Sequence, residues 1–215
     1  MSAKQLGELP ASLPIFPLTG VLLLPRGRLP LNIFEKRYLA MTEDALKGER
    51  FIGMVQPQEG EGDAGEPPVY RTGCAGRMTS FSETDDGRYL ITLTGVARFD
   101  IARELPQDRL YRRVVPDWQP YAADLEPPST PIERERLLAA LKPFFRRHNI
   151  AAEWEAVEAT PDERLVTSIA MAAPFSPSEK QALLEARDVA ERARLLTALV
   201  EMAAHGGETA AGARH

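Results

Sequence analysis

One cysteine, Cys74, stands among 215 residues, so no internal disulfide can form, and this usage fits a reducing compartment. No histidine or basic residue adjoins Cys74 in the sequence to activate it, and it reads as a small buried apolar residue rather than a reactive thiol. Histidine is also scarce. His148 lies beside Arg146 and Arg147 in what reads as a basic helix end, while His205 and His215 lie by the C-terminus, so neither a histidine-rich metal site nor triad chemistry is expected. None of the five lysines has the context of a phosphate loop, and there is no Gly-x-Gly-x-x-Gly, Gly-x-Ser-x-Gly or Cys-x-x-Cys motif. These absences predict a protein with no cofactor, no metal and no enzyme activity. Long apolar runs are missing too: nothing approaches the roughly 20 residues of a membrane span. The first twelve residues lack the basic start and apolar core of a signal peptide, so the expected location is the cytoplasm, away from membranes. Nor is there an excess of positive charge. The net charge is −5, with 15 basic against 16 acidic residues up to Trp118 and 11 against 15 beyond it, which argues against nucleic acid as a partner.

What is present is an ordinary globular composition, 44% hydrophobic and 27% charged, in a chain long enough for one large domain or two small ones. Between Leu13 and Tyr38 the sequence is strongly apolar but is cut by Pro14, Pro17, Pro25 and Pro30. Proline cannot donate to a sheet ladder, so this stretch predicts short, bent strands suited to a small irregular barrel, at Ile15 to Leu18 and Val21 to Leu24. Asn32 with Glu35 reads as a capping box opening a helix from about Ile33 to Lys47, with Gly48 just past its end. Phe51 to Val55 is a buried strand. The segment from Gln56 to Pro68, with four acidic residues, three glycines and three prolines, predicts a mobile loop. Val69 to Ser82 and Arg88 to Thr94 then form a hairpin around Asp86-Gly87, Gly95 marks a bulge, and Tyr111 to Val115 is the last strand.

Beyond Pro128 the strand signals stop, and Ala, Leu, Glu and Arg dominate. Thr130-Pro131, Thr160-Pro161 and Ser176-Pro177 each place a hydroxyl before a first-turn proline and a glutamate, and Asp188 with Glu191 is a variant. They predict helices near 131 to 147, 161 to 173, 177 to 186 and 189 to 204, with a short one around 152 to 158. The expected division is a flexible tail at 1–12, a β-barrel at 13–120, a linker at 121–129, a helical bundle at 130–205 and a disordered tail at 206–215, an α+β chain.

Three groupings could carry chemistry or binding. The carboxylate pairs Asp85-Asp86 and Glu153/Glu155 serve a turn and a polar helix, which leaves a cryptic hydrolase the least favoured reading. Arg109, Arg112 and Arg113 could form a strip for RNA, although strand alternation splits them between two faces. Phe34, Tyr38, Trp118 and Trp154 are the candidate contacts for unfolded or specific protein segments at a cleft between barrel and bundle, with core packing as their competing use. The bent edge strand is also a place where an extended peptide could add on.

The motifs Leu-Pro-Ile-Phe-Pro-Leu (13–18), Val-Leu-Leu-Leu-Pro (21–25), Leu-Pro-Leu-Asn-Ile-Phe-Glu-Lys-Arg-Tyr (29–38), Gly-Val-Ala-Arg-Phe-Asp-Ile (95–101) and Lys-Gln-Ala-Leu-Leu-Glu (180–185), followed by Asp188 and Arg192, occur in an order that resembles the N-terminal substrate-binding domain of the Lon protease. The resemblance spans about residues 13 to 203. It implies a PUA-like β pseudo-barrel with one packed helix followed by a C-terminal α-helical bundle, and it implies recognition of protein segments, as an adaptor or sensor in protein quality control, without proteolysis. The ATPase and Ser-Lys protease modules of Lon would begin where this chain ends. Because PUA-like barrels also include RNA binders, RNA stays open as the alternative. The expected oligomeric state is a monomer or weak dimer.

Overall fold

The computed structural model describes residues 7–58, 67–127 and 131–205. The expected mobile loop falls largely on 59–66, the Thr130 cap on 128–130 and the C-terminal tail on 206–215, all outside the described residues. The chain forms two compact units, one of residues 1–127 with 174–184 and one of 128–173 with 185–215.

In the first unit, strands β1 (Leu13–Pro17), β2 (Arg28–Ile33), β3 (Phe51–Val55), β4 (Thr72–Glu83), β5 (Tyr89–Glu104) and β6 (Arg113–Asp117) form one sheet in the order β2-β5-β4-β3-β1-β6. A second pairing, of β6 with the C-terminal half of β5, closes five strands into a barrel and leaves β2 as a flange on the N-terminal half of β5. Only β1 and β3 run parallel; the other pairs are antiparallel. Leu13, Ile15, Val55, Ala75, Phe99 and Val114 fill the barrel. Cys74 is fully buried, in keeping with a packing role. Helix α1 (Lys36–Lys47) sets Tyr38, Met41, Thr42 and Ala45 inward at helical spacing and ends at Gly48.

Three expectations at this end are corrected. Asn32 does not cap a helix: it lies in β2 opposite Leu90, the helix starts three residues later than predicted, and its N-cap Glu35 makes no side-chain cap bond. Pairing with β5 outweighs a local capping signal. Pro30 is tolerated there because β2 pairs on one side only. Val21 to Leu24 is no strand but an irregular, buried segment, because it crosses β5 at Gly95. Residues 7–12 are not a loose tail: Pro10 is buried and its carbonyl accepts the indole N–H of Trp118 at 3.3 Å.

The hairpin and bulge follow the sequence reading. Gly87 takes φ 78° in the β4–β5 turn, and the register passes from Ala75 opposite Ala97 to Gly76 opposite Gly95, which leaves Val96 as the extra residue. The expected linker at 121–129 begins inside a 3-10 helix (Gln119–Leu125) that lies against β5.

Helix α5 (Pro177–Glu185) packs with the barrel, whereas the sequence reading set all of 130–205 in one bundle. A polar network joins it. Gln56 accepts the Gly20 N–H at 3.1 Å and donates to Pro177 O at 2.9 Å, Gln181 donates to Thr72 O at 3.2 Å, and the Lys180 ammonium donates to Gly20 O at 2.8 Å. Burial pushes the Lys180 ammonium below the usual lysine range. The predicted capping box is formed: Ser176 Oγ accepts the Glu179 N–H at 3.3 Å and Glu179 accepts the Ser176 N–H at 2.7 Å.

The second unit comprises α2 (Arg134–Arg147), α3 (Trp154–Ala159), α4 (Asp162–Ala172) and α6 (Val189–His205). Leu137, Leu141 and Phe144 of α2, Val166 and Ala170 of α4, and Leu196 and Val200 of α6 are buried, with α6 against both of the others. Asp188 caps α6 by accepting the Glu191 N–H at 2.8 Å, and that bond holds its carboxyl below the usual aspartate range. Thr160 does not cap α4; its hydroxyl turns back to Ala156 O, and Pro161 takes the N-cap position.

Helix α2 ends in a Schellman motif that the sequence did not announce. Asn149 adopts φ 51°, its N–H donates to Arg146 O at 3.3 Å, and the Ile150 N–H donates to Phe145 O at 2.9 Å. Asn149→Ala is expected to cost about 1 kcal/mol and Asn149→Gly no more than a few tenths, because only the first loads a Cβ-bearing residue without a compensating polar side chain into the left-handed region. Thermal or urea unfolding of the two variants checks this.

Candidate functional site

The three largest exposed apolar side chains of the β2–β5–β4 ribbon gather at its distal end. Phe34 is 63% exposed, Leu90 46% and Phe81 41%. Strand alternation puts Ile91 and Leu93 inward and Leu90 outward, between Asn32 and Ser82. Phe34 follows the last residue of β2, with the Arg88 guanidinium 6.0 Å from its ring. Phe81 lies on the opposite face in edge contact with Tyr89 at 5.0 Å, and the Tyr89 hydroxyl donates to Glu43 of α1 at 3.1 Å. Burial and the Glu43 carboxylate raise the Tyr89 hydroxyl above its ordinary pKa, so it stays a donor.

Arg88 is held by Asp86 at 2.9 Å, and hydrogen bonding from Thr84 keeps the Asp86 carboxyl below the usual range. Arg28, on the same outer face, has no carboxylate partner among the described residues. The ribbon end therefore exposes apolar side chains on both of its faces, Leu90 on one and Phe81 on the other, with Phe34 just beyond β2. Such side chains can be buried against apolar side chains of another chain.

Of the four aromatic residues singled out in the sequence, only Phe34 is presented in this way. Tyr38 is 5% exposed, stacked at 4.1 Å on Phe16 and covered by the Arg37 guanidinium at 4.5 Å from its ring, so it is core and offers no contact surface. Trp118 is half-buried, edge-on to Phe99 at 5.7 Å, with its N–H spent on Pro10. Trp154 is half-buried in the other unit, beside Phe145. Phe81 and Leu90 were missed. Leu90 carried a signal, being the large apolar residue on the polar side of an alternating strand.

Addition of a peptide strand to β2 meets an obstacle. Pro30 sits at the middle of that edge and lacks an N–H, so an added strand would lose a ladder bond there. Side-chain docking on the ribbon end is the better use of this surface.

The arginines suggested for RNA are committed elsewhere. Arg109 pairs with Asp44 at 2.8 Å, Arg112 with Glu104 through Nε and Nη2, and Arg113 with Asp108 at 2.6 Å. Asp44 also accepts the Tyr111 hydroxyl at 2.8 Å, and burial with that carboxylate pushes Tyr111 up to about 12. His148 stacks on Phe144 at 4.4 Å. Among the described residues no group of His, Cys, Asp and Glu is arranged to hold a metal ion, and no helix is long and apolar enough to cross a membrane.

A closed five-stranded barrel with a flanking ribbon, carried in one chain with a unit of packed helices, defines an α+β fold. The chain belongs to the family of the ATP-dependent protease La (LON) substrate-binding domain, whose model matches residues 12–202. It is 30% identical over 201 residues to Lon protease 2 of Myxococcus xanthus, covering 90% of this chain and 24% of that protein, and 29% identical to the Lon protease of Anaeromyxobacter dehalogenans. Among solved structures it is similar to the Lon N-terminal domain protein from Xanthomonas campestris, with a TM-score of 0.61, 25% identity, and coverage of 87% of this chain and 97% of the other. The chain spans about a quarter of the length of the curated relatives it matches, and the matched region is the substrate-binding domain, which is not catalytic.

Proposed function

We propose that this chain is a non-enzymatic protein-recognition module, an adaptor or sensor in cytoplasmic protein quality control, that takes apolar side chains of unfolded or extended segments on the end of the β2–β5–β4 ribbon. The carrying observation is the exposure of Phe34 and Leu90 at the distal end of the β2–β5–β4 ribbon, with Phe81 exposed on its other face. Family membership supports the substrate class, since the relatives' domain is described as substrate-binding. The RNA alternative has lost its support, because its three arginines are each paired with a carboxylate.

The test is fluorescence anisotropy with a labelled, permanently unfolded polypeptide. Wild type is expected to bind saturably, and Phe34→Ser to weaken binding about tenfold, the equivalent of about 1.4 kcal/mol from one partly buried aromatic anchor. Because Phe34 is exposed, its replacement should leave the unfolding midpoint nearly unchanged. Absence of saturable binding, or binding indifferent to Phe34, overturns the proposal.

A further inference from the structure

The second unit carries a cleft whose charges are unbalanced. The Schellman turn after α2 returns Ile150 over Phe145, and the chain then brings Trp154 beside the same helix. Lys142, Phe145, Arg146, Ile150 and Trp154 are the main walls of an open cleft of about 680 Å³, within the size range of ligand sites. Phe145 and Trp154 meet edge to face at 6.3 Å, Ile150 is 39% exposed, and the Lys142 ammonium lies 4.6 Å from the Trp154 ring centroid. The Trp154 N–H is already given to the Glu158 carboxylate, which leaves the indole as an apolar wall.

Lys142 and Arg146 stand four residues apart on one helix, a like-charge spacing that destabilises a helix. Other cations of α2 are engaged: Arg134 with Asp162, Arg136 with Glu201 at 3.0 Å, and Arg147 with Ala204 O at 3.3 Å. Neither Lys142 nor Arg146 has a carboxylate partner among the described residues, in a chain with 31 acidic residues against 26 basic ones. Ordinary packing accounts for Ile150, the usual apolar contact of a Schellman motif. The helix C-terminus favours Arg146 and the Trp154 ring attracts Lys142, but neither supplies a carboxylate to the two cations beside the aromatic wall.

We propose that this cleft binds a protein segment in which a large apolar side chain stands next to an aspartate or glutamate. The apolar side chain lies against Trp154, Phe145 and Ile150, and the carboxylate lies between Lys142 and Arg146. This rests on the reading of the chain as a protein-recognition module and adds to it a second site with a sequence preference.

The experiment uses the full chain and three labelled peptides blocked at both ends, alike except for a central Phe-Glu, Phe-Gln or Ala-Glu. Phe-Glu is expected to bind about fivefold more tightly than either of the others, the scale of exposed ion pairing and a single apolar contact. It should shift the indole N–H resonance of Trp154. In Lys142→Gln/Arg146→Gln the advantage of Phe-Glu over Phe-Gln should fall below about twofold, and in Phe34→Ser it should persist. Both replaced cations are exposed, so the fold should survive, as circular dichroism would show. Equal binding of Phe-Glu and Phe-Gln, persistence of the preference in the double variant, or its loss in Phe34→Ser overturns this site. Binding of the unfolded polypeptide, and its weakening in Phe34→Ser, reports separately on the ribbon end, so the two proposals fail by different measurements.

Discussion

Asp124→Ala should lower the free energy of unfolding by about 3–5 kcal/mol, because it strands a buried guanidinium. Arg98 is 2% exposed and lies on β5 inside the first unit. Its Nε donates to Asp124 Oδ2 at 2.9 Å and its Nη2 to Oδ1 at 2.8 Å, while its backbone N–H donates to the same carboxylate at 3.0 Å. The other terminal nitrogen reaches Leu184 O of α5 at 2.9 Å, and Tyr121 lies under the guanidinium, 4.4 Å from ring centroid to carbon. One side chain thus ties β5 to the 3-10 helix and to α5. Urea unfolding reads the effect as a midpoint lowered by about 1–5 M at an unchanged slope near 1–3 kcal/mol per M. Asp124→Asn, which keeps acceptor oxygen but not charge, should fall between wild type and alanine. A loss under about 1 kcal/mol for Asp124→Ala would show that water reaches Arg98 and that the pair is no buried staple.

Gly95→Ala is the second large effect, with an expected loss of about 3 kcal/mol or more from overpacking and broken backbone bonds. A Cβ on Gly95 would lie 2.0 Å from Leu24 O and 3.2 Å from Pro25 Cα, and both are backbone atoms that cannot rotate away. The same crossing is clamped by Arg26 N–H to Gly95 O and Gly95 N–H to Gly27 O, each 2.8 Å, so any retreat breaks hydrogen bonds. Gly20→Ala is the control. It has φ 73° but nothing within 4 Å of its Cβ, and should cost only about 1 kcal/mol, the strain of the left-handed region. If the two variants unfold at the same midpoint, the close crossing at Gly95 is not what that glycine provides.

These two positions also divide what could be read in advance from what could not. Gly95 was legible as a bulge, because a glycine interrupting an alternating pattern is a local signal. That it was also the crossing point for Val21 to Leu24 was not legible, since an apolar run looks alike whether it pairs in a ladder or is buried without one. Arg98 gave no warning: an arginine in a strand reads as solvent-facing until its carboxylate arrives from a different element. At the ribbon end, Phe34 was singled out with Tyr38, yet the two have opposite fates, because one follows the end of β2 and the other sits on the inner face of α1.

By itself the sequence determined the elements whose signals are local: the β4–β5 turn at Asp86-Gly87, the caps of Ser176 and Asp188, the first proline-bounded strand, now Leu13–Pro17, and the family motifs. Each depends on atoms within a few residues of one another, so the same sequence produces them in any surroundings. Only the tertiary structure decided that Asn32 joins a strand instead of capping a helix, that α5 belongs with the barrel, and that Phe34, Phe81 and Leu90 share one exposed end. Those outcomes depend on partners distant in sequence, and burial and pairing with them outweigh the fraction of a kcal/mol that local propensity contributes.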